Sequence, residues 1–198
     1  ENLMPDTIQR LLFDDIPYLK VAQEEHDQFC QVLRDCGAEV VYLEDLAAES
    51  LTDEAVERQL ILDYIRQAGI HGEKRTGMIA DYFAGMSSKN MVLKMMAGIR
   101  KSEVRGYGRK NLTDYLDDYY PFVIDPMPNL YFTRDPFACI GDGVTIHRMF
   151  SHTRRRETLF ARYIFQHHPE YSRIPLLYSP DEEHPIEGGD ILVLSPQV

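Results

Sequence analysis

The sequence has no tryptophan and only three cysteines, Cys30, Cys36 and Cys139, in 198 residues. An odd cysteine count without a Cys-x-x-Cys argues against a disulfide framework and against a structural zinc site. Reduced thiols in a cytoplasmic setting are the simplest reading. No apolar run approaches the roughly 20 residues of a membrane-spanning helix. The longest candidates are cut by charge, as at Leu60-Ile61-Leu62-Asp63. No secretory pattern opens the chain, and its first residue is Glu1, which points to a trimmed start. Basic side chains are in deficit as well, 21 against 32 acidic ones, for a formal net charge of −11. So acidic a chain is a poor candidate for a general binder of nucleic-acid phosphates. A cation site stays open, because the local field decides that and net charge does not.

What is present is ordinary globular material: 44% apolar and 27% charged residues, enough for one core or a core with a small helical lobe. Pro5 and Pro17 punctuate residues 1–18, which read as a loop with a short turn. Val21, Ala22, Phe29, Val32 and Leu33 fall near helical spacing over 20–36, and Gly37 suits the position after a helix end. Residues 38–43 read as a buried strand, so helix, glycine and strand form half of an α/β unit. Nothing strand-like follows over 52–104. Thr52-Asp53-Glu54 marks a helix start with Val56, Leu60, Tyr64 and Ile65 inward; a second helix carries Met78, Ile79, Tyr82 and Phe83; a third follows Ser87-Ser88 with Met91, Val92, Met95, Met96 and Ile99 inward. The methionines read as core filling. Strands return after Tyr120: a short one over 121–124, two extended pieces within 130–140, a hairpin at Gly141-Asp142-Gly143 leading into 144–147, and further strands over 174–178 and 191–194. A helix with a basic first turn is expected over 154–165.

Three segments have residue types suited to chemistry. In the first, residues 127–137 (MPNLYFTRDPF), proline after Asp135 biases that aspartate toward extended geometry. A kink there can bring Phe132 and Asp135 into one pocket, where a carboxylate beside aromatic rings would seat a planar cation. The bland alternative is an edge strand ending in a surface turn, with Arg134 and Asp135 a solvated pair. In the second, residues 185–190 (PIEGGD), two glycines between Glu187 and Asp190 allow a sharp turn or a close approach to a ligand. An ordinary glycine turn is the alternative, as is a metal site with His147 or His184, although no His-x-x-x-His spacing supports it. The pair His167-His168 sits at a helix end, where charge–dipole compensation or plain exposure is a simpler reading than metal binding. In the third, Arg154-Arg155-Arg156-Glu157, three cations oppose the dipole of a helix start. A docked anion would compensate them; a solvated helix start is the alternative.

Taken together, ENLMPD, LLFDDIP, MAGIRKSE at 96–103, MPNLYFTRDPF, TRRRET and IEGGD resemble the arginine deiminase family, in family order across essentially the whole chain. The resemblance implies an α/β fold, part of a pentein-type propeller of ββαβ units. Residues 1–50 would be its first part, 51–118 an inserted helical bundle, and 119–198 the continuation of the propeller, cut before the catalytic C-terminal part. It implies a cytoplasmic hydrolase that converts L-arginine and water to L-citrulline and ammonia, without metal or organic cofactor, and homo-oligomeric at full length. No nucleic-acid or membrane partner is expected. Asp135 and Glu187 would be the catalytic carboxylates here. Asn129, Phe132, Asp135, Arg154, Glu187 and Asp190 would bind substrate: Asp135 the guanidinium, Phe132 the aliphatic stem, Asn129 the amino-acid end and Arg154 the α-carboxylate. Residues 10–15 would belong to a loop over the site. The family's nucleophilic cysteine and catalytic histidine fall beyond Val198, so this chain would be an N-terminal portion, missing also a first strand, with half a pocket and no activity of its own. The three cysteines read as structural, Cys139 in a core strand. Alternatives are an agmatine deiminase-like enzyme, for which Arg154 would be dispensable, and a non-catalytic assembly module that associates through exposed strand edges.

Overall fold

Pro5 opens a short 3-10 turn, Pro5–Thr7, and the chain then runs without regular structure to α1 (Leu19–Asp35). The computed structural model describes residues 2–107 and 120–195. Residues 108–118 of the expected bundle therefore lie outside the described residues. Helix α1 ends just before Gly37, as expected. Its apolar face is less covered than the spacing implies: Val21, Phe29 and Val32 are exposed and only Cys30 is buried. The expected strand over 38–43 does not form. Residues 38–41 carry no regular structure, and Leu43 instead begins α2 (Leu43–Glu49). Glu44 and Asp45 in its first turn suit the positive end of a helix dipole.

Three helices form where expected, α3 (Glu54–Gln67), α4 (Glu73–Phe83) and α5 (Ser88–Ala97). Helix α5 stops before Ile99, which the spacing reads as one of its inward residues and which instead lies in a strand, so 52–104 is not free of strand. Asp53 caps α3 by accepting from the amides of Ala55 and Val56 at 2.8 and 3.0 Å. Leu60, Tyr64, Ile65, Ile79, Phe83, Met91, Val92 and Met95 build the core, each at most 1% exposed. Burying the Tyr64 ring would be costly without a partner for its hydroxyl, which donates to the Met95 carbonyl at 2.9 Å.

Helix α5 passes directly into β1 (Ile99–Arg100), which pairs antiparallel with β2 (Phe122–Ile124). Gly98 makes this passage possible. It sits at φ 77°, and a β-carbon there would lie 2.6 Å from the Pro126 nitrogen. The glycine of MAGIRKSE thus lets α5 press against residues 124–126, and the Met127 amide donates to Met96 at 2.9 Å. The hairpin forms as expected: β3 (Phe137–Ile140) and β4 (Gly143–Ile146) are antiparallel, and β5 (Leu176–Tyr178) joins β4 in parallel. Helix α6 (Thr158–His167) lies between this sheet and the bundle, touching β4, α2 and α3. The Tyr163 hydroxyl on α6 donates to buried Asp63 on α3 at 2.8 Å.

The architecture is mixed α/β with open sheets of two and three strands; no sheet closes among the described residues. Four other readings change. Residues 128–131 are a 3-10 turn, Pro128–Tyr131, because a proline fits the first turn of a helix better than a strand. The first of the two extended pieces expected within 130–140 therefore does not form. Residues 191–194 have no strand partner among the described residues, and Leu192, Val193 and Leu194 are exposed. The three arginines sit in a 3-10 turn, His152–Glu157, ahead of α6 rather than in its first turn. Nor is His168 exposed: it is buried, stacks on Tyr171 with 4.8 Å between ring centroids, and meets Glu49 at 3.0 Å.

Candidate active site

Asp135 stands just before β3, where Pro136 denies it a helical backbone. Arg154, in the turn before α6, brings its guanidinium to it: Nη1 donates to Asp135 Oδ2 at 2.8 Å. The other edge of the same guanidinium is held by Glu157. Nε donates to Oε1 and Oε2 at 3.2 and 3.0 Å, and Nη2 to Oε2 at 2.8 Å. Nη2 also reaches the Asn129 carbonyl at 3.4 Å. One planar cation is thus clasped between two carboxylates, the arrangement that bidentate guanidinium geometry favours.

Burial sets the character of each partner. The Glu157 side chain is 2% exposed, that of Asp135 33%. Burial pushes the Glu157 carboxyl up from its ordinary pKa, with Arg154 pulling the other way. Burial alone would lower the Arg154 pKa, but its bonds to Glu157 and Asp135 outweigh that and raise it. Of the three arginines only Arg154 meets Asp135. Arg156 donates twice to the Asp125 carbonyl, at 3.1 Å each, and lies over the Tyr64 ring; Arg155 is exposed. The third segment is therefore not a solvated helix start. Sequence reasoning passed over Glu157 as an anchor, although opposite charges three residues apart are the signal that marks it.

Asn129 and Phe132 line an open cleft of about 740 Å³ with Leu12, Phe13, Asp14 and Asp15 of the leading loop. Asn129 is buried and ties the two walls, its amide donating to the Leu11 carbonyl at 2.7 Å. Phe132 is 48% exposed at the cleft wall. The leading loop is fastened below by Arg10, which pairs with Asp125, and Tyr120 donates to the same carboxylate. Although burial opposes it, these bonds from Arg10 and Tyr120 hold the Asp125 carboxyl below its ordinary pKa.

Glu187 and Asp190 enclose the turn Gly188–Asp190 and cap it reciprocally: the Glu187 amide donates to Asp190 Oδ2 at 2.9 Å. Glu187 also accepts from the Phe150 amide at 2.9 Å. Gly188 packs so tightly on Arg134 that a β-carbon would lie 2.3 Å from the Arg134 carbonyl oxygen. This is the close backbone approach its residue type implied, made to protein. Each of the two carboxylates accepts from a backbone amide. The electrostatic link between segments is His147: its Nδ1 lies 2.5 Å from the Asp135 carbonyl, its Nε2 2.8 Å from Thr145 Oγ1, and it feels Asp135, Glu187 and Asp190. A carbonyl only accepts, so Nδ1 carries the proton. Burial keeps the His147 pKa below the ordinary histidine value despite those acids.

Among the described residues no group of three or more His, Cys, Asp and Glu side chains is placed to hold a metal ion. No described helix is long and apolar enough to cross a membrane. Of the cysteines, Cys30 is buried while Cys36 and Cys139 are exposed, so Cys139 is not the core residue its apolar neighbours implied.

These features define a mixed α/β protein with a guanidinium held between carboxylates beside an open cleft. Its kinship is narrower than that. The arginine deiminase family model matches residues 9–198. A relative named arginine deiminase from Clostridium perfringens (strain SM101 / Type A) is 54% identical over 202 aligned residues, as is one from Streptococcus agalactiae serotype V. Another from Borrelia duttonii (strain Ly) is 50% identical over 200. Each match covers all of this chain and 49% of the relative. The chain belongs to the arginine deiminase family, as its motifs indicated, and spans about half the length of the curated relatives it matches.

Proposed function

We propose that this chain is the N-terminal portion of an arginine deiminase, a cytoplasmic hydrolase of the carbon–nitrogen bond that converts L-arginine and water to L-citrulline and ammonia. Asp135 holds the substrate guanidinium, Phe132 packs along its stem, Asn129 and Arg154 meet its amino-acid end, and Glu187 and Asp190 line the pocket from the next unit. In this reading residues 1–50 and 119–198 are parts of a pentein-type propeller and 51–118 an inserted bundle. The full-length protein is a homo-oligomer.

The chemistry explains the division of labour. A guanidinium carbon is a poor electrophile because its charge is delocalised and permanent at neutral pH. Carboxylates facing its N–H groups fix its plane for attack by a thiolate. The thiouronium formed is then opened by water, with a histidine moving the protons. Thiolate and histidine belong to the family's C-terminal part, and Cys30, Cys36 and Cys139 do not replace them. The 198-residue chain alone is therefore expected to be inactive.

One observation supports the reading above the rest: Asp135, a third exposed, already binds a planar guanidinium, that of Arg154. Calorimetric titration of this chain with L-arginine, agmatine and citrulline tests it. Arginine-selective binding that disappears in Asp135→Ala is the expected result. Binding that persists undiminished in that variant would remove Asp135 from its role. A citrulline signal from the isolated chain that Asp135→Ala abolishes would overturn the expected inactivity.

A further inference from the structure

The guanidinium of Arg154 has two edges with different surroundings. The edge formed by Nε and Nη2 lies on Glu157, three residues on and nearly sealed from solvent, through three contacts of 2.8–3.2 Å. The remaining nitrogen, Nη1, lies on Asp135, whose carboxylate is a third exposed. The first edge is a closed bidentate clasp within one turn of chain. The second is a single bond to a carboxylate that solvent, and therefore a ligand, reaches. Any guanidinium that enters and takes Asp135 removes the Nη1 contact and leaves Glu157 as the carboxylate on Arg154, beside the Asn129 carbonyl.

Resting on the assignment of Arg154 to the substrate's carboxylate, we propose that Glu157 is the positioning residue that keeps Arg154 at the pocket while Asp135 changes partners. Before binding, Arg154 bridges Glu157 and Asp135. On binding, Asp135 turns to the substrate guanidinium, and the released Nη1 turns to the substrate carboxylate. Arg154 lies between two anions in both states, and one of them is always Glu157. Without Glu157 the exposed Asp135 would be the only carboxylate partner left to Arg154. The arginine would then settle on the seat that the substrate guanidinium needs. A buried carboxylate is costly to ionise, so placing one here is hard to explain by the packing of α6 alone; the fixed orientation of an arginine fork explains it.

The test is a double-mutant cycle in the full-length enzyme, with kcat and KM for L-arginine in wild type, Glu157→Gln, Arg154→Gln and the double variant. KM does not depend on how much of a preparation is folded. Glu157→Gln is expected to raise KM by roughly 30-fold or more, the low end for removing one partner of a buried charge pair, and to change kcat far less. In the Arg154→Gln background the same substitution is expected to leave KM where it is, because Glu157 acts only through Arg154. Should Glu157→Gln not fold, Glu157→Asp retains the carboxylate at shorter reach and should give an intermediate KM that likewise vanishes as an effect in the Arg154→Gln background. A Glu157 substitution that leaves KM within twofold of wild type, or that multiplies KM equally in both backgrounds, overturns the proposal. If Arg154→Gln itself leaves KM unchanged, the assignment of Arg154 has failed, and the proposal falls with it. If Arg154→Gln raises KM and Glu157→Gln does not, the positioning role alone has failed.

Discussion

Arg154 and Asp135 meet at 2.8 Å across 19 residues of sequence, and the pair joins the turn before α6 to the entry of β3. The contact places the guanidinium of an arginine side chain on the carboxylate that the family resemblance assigns to the guanidinium of a substrate. Asp135 is only partly buried, whereas the second carboxylate on Arg154, Glu157, is nearly sealed.

That difference predicts unequal costs for removing the two acids. Asp135→Asn should lower stability by about 1 kcal/mol or less, since a solvated partner contributes little. Glu157→Gln should cost about 3 kcal/mol, because it leaves Arg154 buried without its main counter-charge. Urea denaturation of the three proteins measures both. Equal losses would show that burial does not govern this pair.

How far the sequence led depended on whether contacts were local. Asp53 as a cap, the helices over 52–97, and the Gly141 hairpin follow from short-range spacing, and all formed. The misses needed partners that spacing does not reveal. Residues 38–43 and 191–194 are apolar enough for strands, but no neighbouring strand accepts them among the described residues. Pro128 turned the following segment into a 3-10 turn although its aromatic residues favour strands. At the site, residue types pointed to Asp135 and Arg154 separately. Their mutual contact, across 19 residues, is long-range packing, whereas the anchoring by Glu157 is a local pair three residues apart that the spacing could have shown.

Gly188 and Gly189 look alike in sequence and should behave oppositely. A β-carbon at Gly188 would overlap the Arg134 carbonyl, whereas nothing lies within 4 Å of one at Gly189. Gly188→Ala should therefore shift the turn that carries Glu187 and Asp190 and cost about 1–3 kcal/mol, as overpacking does. Gly189→Ala should be within about 0.5 kcal/mol of wild type. Melting curves of the two variants decide the matter, and a Gly188→Ala protein as stable as Gly189→Ala would contradict the close approach.

The three thiols of the native chain should react in a fixed order. Cys36 is exposed at the end of α1. Cys139 is also exposed, but burial of part of its surroundings pushes its thiol above the ordinary cysteine pKa, which lowers its thiolate fraction. Cys30 is buried on α1, with Sγ 3.6 Å from His26 Nδ1. Timed alkylation near neutral pH, followed by peptide mass mapping, should label Cys36 first, Cys139 next and Cys30 last. Early labelling of Cys30 would show that α1 opens readily from the rest of the chain.

His147 should make stability fall on mild acidification. Its pKa is lower folded than unfolded because burial disfavours the imidazolium, and this outweighs the Nδ1–H bond to the Asp135 carbonyl and the nearby acids, which pull the other way. As pH drops below about 6.5, the unfolded chain takes up a proton that the folded chain refuses, so the equilibrium shifts toward unfolding by up to about 1.4 kcal/mol per pH unit until the lowered folded pKa is reached. Glu157 acts in the opposite sense. Its folded pKa is raised, so its ionisation cost grows as pH rises above the ordinary glutamate range and shrinks as pH falls. A wild-type profile contains both contributions, and only a difference separates them. Urea midpoints between pH 5 and 8 for wild type and His147→Gln supply it. The variant should lose stability less steeply below pH 6.5 while Glu157 continues to act in both proteins. Parallel profiles would mean that His147 takes its proton in the folded state as readily as in the unfolded one.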